Sequence, residues 1–307
     1  MDWFPETQQA FDELIASEAA CQQYLAAIRW PDGFVCPACG HTVAWQLGTG
    51  LSLCRQCRRR VSVTSGTLFH DTRMPLSLWF HAIWYVTSQK SGASALGVQR
   101  VLGLGSYHTA WAWLHRLRRA MVRPDRDRLS GTVEVDETFW GATRPGKHGR
   151  GAAGKTLILV AVEYTGKQIG RIRLQRIPDA QGTTLQTAVQ AAVVPGSVIE
   201  TDGLYGYRGM SAAGYTHRVV RAETPQEEAD LLPHVHLVVS LLKRWLLGTL
   251  QGGIHVTHLD YYLDEFTFRF NRRTSHSRGK LFRRVLEYAV QVDPIREQDL
   301  RASARKG

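Results

Sequence analysis

Four cysteines near the start of the chain stand in two Cys-x-x-Cys pairs, Cys36/Cys39 and Cys54/Cys57. Each pair can turn two thiols toward one centre, and four thiols at this spacing are typical of a structural Zn²⁺ site. Two disulfides or unconnected buried thiols are the alternatives, and disulfides are expected mainly in exported proteins. The sequence therefore predicts a zinc ribbon over residues 34–72.

Arginines follow the second cysteine pair directly, at Arg58, Arg59 and Arg60. The zinc site would hold this cationic loop in place, and guanidinium groups suit the phosphates of nucleic acid. The whole chain has 38 Lys and Arg residues against 27 Asp and Glu, a formal net charge of +11. Because the arginines are clustered, we expect a nucleic-acid partner. A solvated basic face is the alternative.

Two aspartates, Asp136 and Asp202, stand where strands are predicted to end, after segments 131–135 and 197–201. Aspartates at the ends of neighbouring strands would meet at one edge of a sheet, and hard divalent cations prefer oxygen ligands. Such a pair can support phosphoryl transfer with Mg²⁺ or Mn²⁺. Taken singly, an aspartate before a glycine, as at Gly203, is more often a turn.

Helical patterns surround the ribbon. An amphipathic helix is predicted over 6–29, within an N-terminal segment 1–33. Three more helical segments follow the ribbon, at 76–88, 93–102 and 106–119. With the glycine turn at 103–105 they have the order of a helix-turn-helix, here over 73–124. The last segment carries three arginines that would contact phosphates: Arg116, Arg118 and Arg119. A helical linker that packs the two ends of the chain together is the alternative.

The pattern changes after residue 124. Strands are predicted at 131–136, 156–164, 168–176, 197–201 and 217–221, and helices at 183–193 and 227–247. This order resembles the ribonuclease H-like fold, an α/β fold with a mixed sheet and flanking helices. We expect such a domain over 128–290, followed by a tail at 291–307.

Three motifs resemble a known family: the EVDET segment at 134–138, the TDG segment at 201–203 and the YLDEFTFRFNRR segment at 262–273. They are similar to motifs of bacterial insertion-sequence transposases of the DDE superfamily that carry an N-terminal zinc ribbon. The resemblance covers about 30–290. It implies an enzyme that binds the terminal inverted repeats of its element, cuts them and joins them to target DNA by transesterification with Mg²⁺ or Mn²⁺.

The resemblance implies double-stranded DNA as the partner, at the element's ends and at the target. Two ends must be paired before they are joined, so a homodimer or a larger assembly on DNA is expected. A catalytically silent zinc-ribbon DNA-binding protein derived from such an enzyme is the alternative function. DNA binding does not separate the two, whereas metal-dependent chemistry does.

The resemblance also implies a third metal-binding position, where this chain departs from the family. Relatives with a glutamate carry it seven residues before a lysine that matches Lys243, and here that position holds His236. Relatives with an asparagine carry it two residues before the lysine, where this chain has Leu241. The implied site is therefore Asp136, Asp202 and His236, with Lys243 against a phosphate of the bound end.

Imidazole can ligate a divalent metal, Mn²⁺ better than Mg²⁺, and can transfer protons near neutral pH. A helical histidine bonded to a neighbour is the alternative reading of His236, and Glu227 and Glu228 are reserve candidates for the third position. For Lys243 the alternative is a solvated helix lysine.

Further basic residues are expected to reach DNA: Lys147, Arg150 and Lys155 in a Pro/Gly-rich loop, and Arg269, Arg272 and Arg273 in the closing motif. The aromatic residues of that motif are expected to pack a helical layer. Segment 149–156, GRGAAGKT, matches the nucleotide-binding P-loop pattern. A β-branched strand rather than a helix follows it, so we predict a basic hairpin loop and no nucleotide cofactor. A P-loop ATPase is the weaker alternative.

The chain starts with an acidic segment that lacks the apolar run of a secretory signal. Its sequence contains no run approaching the roughly 18 apolar residues of a membrane span. We therefore expect a protein of the reducing bacterial cytoplasm, associated with the nucleoid and without a membrane partner.

Overall fold

The computed structural model describes residues 3–123, 126–141, 155–221, 231–250, 253–296 and 298–300. The chain falls into two compact units. The first comprises Met1–Arg123 and Ser275–Arg305, and the second is built from Pro124–Thr274. Among the described residues, no helix is long and apolar enough to cross a membrane.

In chain order the helices are α1 (Gln8–Leu14), α2 (Glu18–Arg29), α3 (Leu76–Ser88), α4 (Ala95–Leu102), α5 (Tyr107–Arg119), α6 (Gly182–Ala192), α7 (Pro233–Gly248), α8 (Leu259–Asn271) and α9 (Arg278–Ala289). The strands are β1 (Ala44–Gln46), β2 (Ser52–Cys54), β3 (Arg60–Val61), β4 (Thr132–Trp140), β5 (Thr156–Thr165), β6 (Gln168–Ile177), β7 (Val198–Thr201) and β8 (Thr216–Val219).

In the first unit, β1, β2 and β3 form a small antiparallel sheet in that order. The helix predicted over 6–29 is two helices, because a serine interrupts it with a capping signal. The hydroxyl of Ser17 accepts the N–H of Ala20 at 3.1 Å and so begins α2.

The three helical segments after the ribbon are confirmed as α3, α4 and α5. Gly103 ends α4 in the left-handed conformation, with φ 63°. The hydroxyl of Ser106 accepts the N–H of His108 at 3.1 Å and begins α5, as its sequence predicted. The structure thus gives the helices and the glycine turn, while their binding to DNA stays a prediction.

Helix α9 belongs to the core of the first unit. Its Phe282 contacts four aromatic residues of α1, α2 and α3, with ring centroids 5.5–6.3 Å apart: Phe11, Tyr24, Phe80 and Trp84. On the same helix, Gly279 lies so close to the Pro5 carbonyl that any side chain there would overlap it. Residues 275–290, which we expected in the ribonuclease H-like domain, therefore pack with the N-terminal helices.

The second unit is built on a five-stranded sheet in the order β6-β5-β4-β7-β8. β5 is antiparallel to both of its neighbours, whereas β4, β7 and β8 run parallel. The parallel strands need a crossover connection, and α6 lies in the one between β6 and β7. This is the mixed sheet of the predicted ribonuclease H-like α/β fold.

Helices pack on both faces of this sheet. The core on the α6 side includes Val133, Val135, Leu185 and Val189. The core on the side of α7 and α8 includes Val160, Val235, Leu242 and Phe266. Because side chains alternate along a strand, the valines of β4 face α6 while its Glu134 and Asp136 face α7. Glu134 and Asp136 are therefore presented to the same helix, α7.

Candidate functional site

The four ribbon cysteines converge on one point. Their sulfur atoms all lie within 4.8 Å of one another, with Cys36 3.7 Å from Cys57 and Cys39 3.6 Å from Cys54. Thiolates around a tetrahedral zinc lie about 3.8 Å apart, because each Zn–S bond is about 2.3 Å long. The four thiols are free rather than disulfide-bonded. Donor set and spacing therefore fit the predicted Zn²⁺.

Both cysteine knuckles share one backbone design. In each, the residue after the second cysteine is left-handed, Gly40 with φ 73° and Arg58 with φ 60°. Their N–H groups donate to the carbonyls of Cys36 and Cys54, at 2.9 and 3.1 Å. The backbone N–H of Cys57 lowers the pKa of the Cys54 thiol, which favours the thiolate that zinc binds.

The parallel pairing of β4 with β7 brings the two aspartates together. Glu134 of β4 is paired with Glu200 of β7. Asp136 and Asp202 each lie two residues after one of these glutamates. We predicted Asp136 at the end of its strand, but β4 continues beyond it. It is β7 that ends at this level, at Thr201, so the carboxylate of Asp136 lies beside the loop that starts with Asp202.

The pKa of Asp136 is shifted by its surroundings. Burial raises its pKa to about 6, and the negative charges of Glu137 and Asp202 also raise it. The N–H of Glu137, which donates to Asp136 Oδ1 at 2.7 Å, opposes the shift, as does His236. A divalent cation relieves such an accumulation of negative charge in a partly buried place.

Asp202 is exposed at the start of a tightly held loop. Its Oδ1 accepts the N–H of Leu204 at 3.0 Å. The buried hydroxyl of Thr201 accepts the N–H of Gly203 at 3.3 Å and lies 3.0 Å from His217 Nε2. Gly203 has φ 85°, and a side chain there would overlap β8. Asp202 and Gly203 therefore do form a turn, and this turn holds the Asp202 carboxylate at the surface.

His236 lies in the first turns of α7, with Nε2 4.0 Å from Asp136 Oδ2. Asp136 thus lies beside His236, and it is near enough to Asp202 for that charge to act on it. Among the described residues, the group of three or more possible ligands that gathers within 4.8 Å is the four ribbon cysteines. Lys243 lies seven residues further along α7 and is also exposed. Metal ligation by His236 and phosphate contact by Lys243 stay predictions. The reserve candidates Glu227 and Glu228 lie outside the described residues.

Sequence analysis missed a polar layer behind the aspartates on the α7 face. Glu134 Oε1 lies 2.6 Å from His234 Nδ1, and the hydroxyl of Tyr164 donates to Glu200 Oε2 at 2.6 Å. The pattern Glu-x-Asp occurs on β4 and again on β7. Because residues two apart on a strand share a face, this repetition is a signal that would have found both glutamates.

A second missed contact lies on the opposite face of β4. Tyr207 is fully buried, and its hydroxyl donates to the buried Glu137 Oε2 at 2.8 Å. Burial raises the pKa of Tyr207 well above its usual range, so the hydroxyl keeps its proton and remains a donor. No sequence pattern indicated that these two side chains meet.

The predicted DNA-contacting residues of the first unit differ in exposure. Four are exposed: Arg58, Arg59, Arg60 and Arg119. Arg116 is half-buried. Arg118 is 2% exposed, so its guanidinium is not at the surface. We therefore remove Arg118 from the residues expected to contact phosphates, because helical periodicity turns it toward the core.

The arginines of the closing motif are engaged within the second unit. Arg269 forms an ion pair of 2.7 Å with the buried Glu265, and Arg272 lies over the ring of Phe268 at 4.3 Å. Arg273 donates to a backbone carbonyl of β6 at 3.2 Å. These contacts give the three arginines partners within the unit, while their contact with DNA stays a prediction. The aromatic residues of the motif are buried, as predicted.

The P-loop-like segment precedes a strand. Lys155 is followed at once by β5, and its ammonium group lies 5.9 Å from the ring centroid of Phe139. A nucleotide site of this type needs a helix at that place, so the structure agrees with the rejection of the motif. Lys147, Arg150 and most of the segment lie outside the described residues.

A ribonuclease H-like sheet that carries Asp136 within β4, beside Asp202 just after the end of the parallel β7, defines a candidate metal-dependent phosphoryl-transfer domain. Residues 128–271 match the ISXO2-like transposase domain, and residues 16–60 match the transposase zinc-ribbon domain. The chain therefore contains both the zinc-ribbon domain and the catalytic-type domain of insertion-sequence transposases.

One relative agrees with this assignment. The chain is 30% identical over 127 residues to an uncharacterized protein in transposable element ISH50 of Halobacterium salinarum. The match covers 40% of this chain and 42% of the relative, so it spans less than half of the curated protein. The matches to the two transposase domains confirm the family that the sequence motifs indicated.

Proposed function

We propose that this chain is a DNA transposase that binds the terminal inverted repeats of its own element and catalyses metal-dependent strand cleavage and strand transfer. The observation that carries the proposal is the position of Asp136, which lies 4.0 Å from His236 and interacts with the charge of Asp202 beside the end of β7. When bound there, Mg²⁺ or Mn²⁺ would activate the attacking oxygen and stabilise the leaving oxygen of a phosphodiester.

The residues of the chain have separate tasks in this proposal. Asp136 and Asp202 supply the carboxylate oxygens that hold the metal, and His236 adds an imidazole nitrogen beside Asp136. Lys243, which is exposed on α7 seven residues after His236, would contact a phosphate of the bound end. The carboxylates must be ionised, so the pKa of Asp136 near 6 makes metal binding release a proton at low pH.

The ribbon and α3–α5 are proposed to recognise the DNA ends. The exposed arginines that support this role are Arg58, Arg59, Arg60 and Arg119. Two ends must be paired before joining, so we propose a homodimer or a larger assembly on double-stranded DNA. A protein acting on the bacterial chromosome would work in the cytoplasm at the nucleoid.

Strand transfer in vitro tests the proposal. Purified protein is given DNA carrying the inverted repeats that flank its gene, with Mg²⁺ or Mn²⁺, beside Asp202→Ala. Joined products that require metal and are absent in the variant are the expected result. Metal-independent products, or equal products from the variant, would contradict it.

A catalytically silent DNA-binding protein is the second candidate. The observation in its favour is the third position of the metal centre, which holds a histidine instead of a carboxylate. Tight binding of the inverted repeats without products in either metal is the result that this candidate predicts.

A further inference from the structure

We propose that Glu134 is a positioning residue that fixes the start of α7 and thereby holds His236 against Asp136. Glu134 lies on β4 two residues before Asp136, and its side chain is buried. The inference rests on the proposed function, because it assigns a task within the same metal centre.

The start of α7 needs a partner for its backbone N–H groups. The first N–H groups of a helix have no acceptor within the helix, and the N-cap residue of α7 is Leu232, whose apolar side chain cannot supply one. Glu134 Oε2 accepts the N–H of Val235 at 2.8 Å. A carboxylate at this place also interacts favourably with the helix dipole. A strand residue thus caps a helix far away in sequence.

The other oxygen of the same carboxylate holds a side chain of that helix. Glu134 Oε1 lies 2.6 Å from Nδ1 of His234, and the two groups are 3% and 16% exposed. The ring of His234 stacks on Tyr164, with centroids 4.3 Å and planes 20° apart. The hydroxyl of Tyr164 is in turn fixed by Glu200 on β7. The helix start is therefore attached to β4, β5 and β7.

This attachment determines where His236 points. His236 follows Val235 directly, so the turn that Glu134 holds is the turn that carries the imidazole. The distance of 4.0 Å from its Nε2 to Asp136 Oδ2 depends on how far the start of α7 lies from β4. The two contacts of Glu134 fix that separation. Glu134 itself is turned toward the helix backbone and His234, so we assign it no contact with metal or substrate.

A double-mutant cycle on Mn²⁺ affinity tests the proposal without relying on catalysis. Mn²⁺ binding to the full chain is measured by electron paramagnetic resonance for wild type, Glu134→Ala, His236→Ala and the double variant. We expect Glu134→Ala to weaken binding about as much as His236→Ala, and to add little in the His236→Ala background. Equal weakening by Glu134→Ala in both backgrounds would overturn the proposal.

Two conservative variants keep the test valid if Glu134→Ala does not fold. Glu134→Gln retains an acceptor for the Val235 N–H, and we expect partial recovery of Mn²⁺ affinity. Tyr164→Phe keeps the stacking on His234 and removes only its hydrogen bond to Glu200, and we expect a smaller loss than with Glu134→Gln. A folded Glu134→Gln variant with wild-type Mn²⁺ affinity, in which His236→Ala still weakens binding, would contradict the role of the carboxylate.

The same measurement separates this inference from the proposed function. In one outcome, wild type binds Mn²⁺ and Asp202→Ala does not, yet wild type shows no strand transfer. That outcome would contradict the proposed activity and leave the Glu134 inference open to support. A wild-type chain that binds no Mn²⁺ would contradict both. The Glu134 inference is supported only when its effect passes through His236.

A second inference concerns the zinc ribbon and rests on a separate observation. Trp45 of β1 is 40% exposed, and two guanidinium groups lie over its ring, Arg55 at 5.1 Å and Arg58 at 4.7 Å from the centroid. We infer that Trp45, Arg55 and Arg58 form the surface by which the ribbon contacts duplex DNA, and we call them the Trp45 cluster.

The zinc knuckle builds this cluster. Arg58 directly follows the last cysteine, Cys57, and has a left-handed backbone conformation. The backbone N–H of Arg55 donates to the Val43 carbonyl at 3.0 Å. Both arginines are therefore set beside β1 by the backbone that carries the thiols. Cation–π contact restricts the guanidinium groups while their N–H edges stay available for phosphates. Trp45 and Arg55 were not among the residues predicted from the sequence.

Fluorescence anisotropy with labelled inverted-repeat duplex at several salt concentrations tests this surface. Arg55→Ala and Arg58→Ala should each reduce the salt slope by about one, as loss of one phosphate contact does. Trp45→Ala should weaken binding several-fold, whereas Trp45→Phe, which keeps an aromatic ring, should lose less. Bound zinc is measured in each variant to show that the ribbon is intact.

Arg296→Ala, a substitution of an exposed arginine outside the ribbon and α3–α5, serves as the matched charge control. Zinc-loaded Trp45→Ala with wild-type affinity, or a loss in Arg296→Ala equal to that in Arg55→Ala, would overturn the assignment. A wild-type chain that binds no duplex would contradict this inference and the proposed DNA binding together, and would leave the Mn²⁺ measurements unaffected.

Discussion

The zinc ribbon and the acidic centre of the second unit are both candidate metal sites, but they are assembled over different lengths of chain. The four thiols come from two short knuckles joined by a hairpin. The acidic centre takes Asp136 from the middle of β4, Asp202 from the end of β7 and His236 from α7. The first site is specified by local spacing, whereas the second exists only because a parallel strand register and a helix start coincide.

The two regions are also expected to differ in whether their folding requires a bound metal. The ribbon has a small sheet and few buried residues of its own, so its fold is expected to depend on the metal. The acidic centre lies on a sheet with a core on both faces, so that domain is expected to fold without metal. The predictions that follow test this difference.

Replacing a carboxylate of the acidic centre should have the largest effect. Asp202→Asn removes one charge and one metal ligand while the side chain stays close to the same size. We expect strand transfer to fall by roughly 1,000-fold or more, because the metal contributes most of the catalysis in such centres. Gel analysis of joined products measures this, and the zinc content and end binding of the variant should match wild type.

Removing zinc should unfold the ribbon and leave the acidic centre folded. Structural zinc contributes on the order of 10 kcal/mol to the folding of small zinc domains. Cys54→Ser is therefore expected to lower the affinity for inverted-repeat DNA by about 100-fold or more, in a chain whose Mn²⁺ affinity is unchanged. Anisotropy and electron paramagnetic resonance measure the two quantities. Full DNA affinity without zinc would show that the ribbon does not depend on its metal.

The charge of Asp136 should cost stability in the metal-free protein. Its pKa is raised from an ordinary 3.8 to about 6, so the folded state holds the proton more tightly than the unfolded chain. The stability that this provides is fully present below about pH 4 and is lost as the pH rises through 6. At about 1.4 kcal/mol per pKa unit, the loss amounts to at most about 3 kcal/mol.

Asp136→Asn should remove that pH dependence. Denaturant unfolding in a chelator should show the variant more stable than wild type at pH 7.5 and nearly equal to it at pH 4. Mn²⁺ should then stabilise wild type and not the variant. A variant that is less stable at pH 7.5 would show that the carboxylate is better compensated than its burial implies.

Tyr207→Phe should have the smallest effect. It removes the hydrogen bond that Tyr207 donates to the buried Glu137 carboxylate, and loss of a hydrogen bond to a buried acceptor costs about 1–3 kcal/mol. We expect that loss in the free energy of unfolding, with Mn²⁺ affinity little changed because Glu137 faces α6. Tyr205→Phe, at an exposed tyrosine of the same loop, is the control and should leave stability unchanged.

Much of the local structure was predictable. Helix α3 and the N-cap of α5 appear where residue patterns placed them, because both depend on neighbours in sequence. The split between α1 and α2 was missed because the Ser17 signal was read as part of one periodic pattern. The position of α9 was missed for another reason, since the partners of Phe282 lie near the other end of the chain.

The candidate site divides in the same way. Asp136 and Asp202 were identified from strand ends and family motifs, although Asp136 lies within its strand. Arg118 was predicted at the surface because charge alone was considered, whereas its place on α5 turns it inward. The contact of Glu134 with His234 joins residues that no spacing rule connects.

The sequence by itself determined the zinc site, the ribonuclease H-like order of elements and the family, because these depend on short-range spacing and on recognisable motifs. Only the tertiary structure decided that His236 faces Asp136, that Glu134 caps α7 and that the last long helix belongs to the first unit. Those facts depend on strand register and helix packing, which arise when residues distant in sequence compete to be buried together.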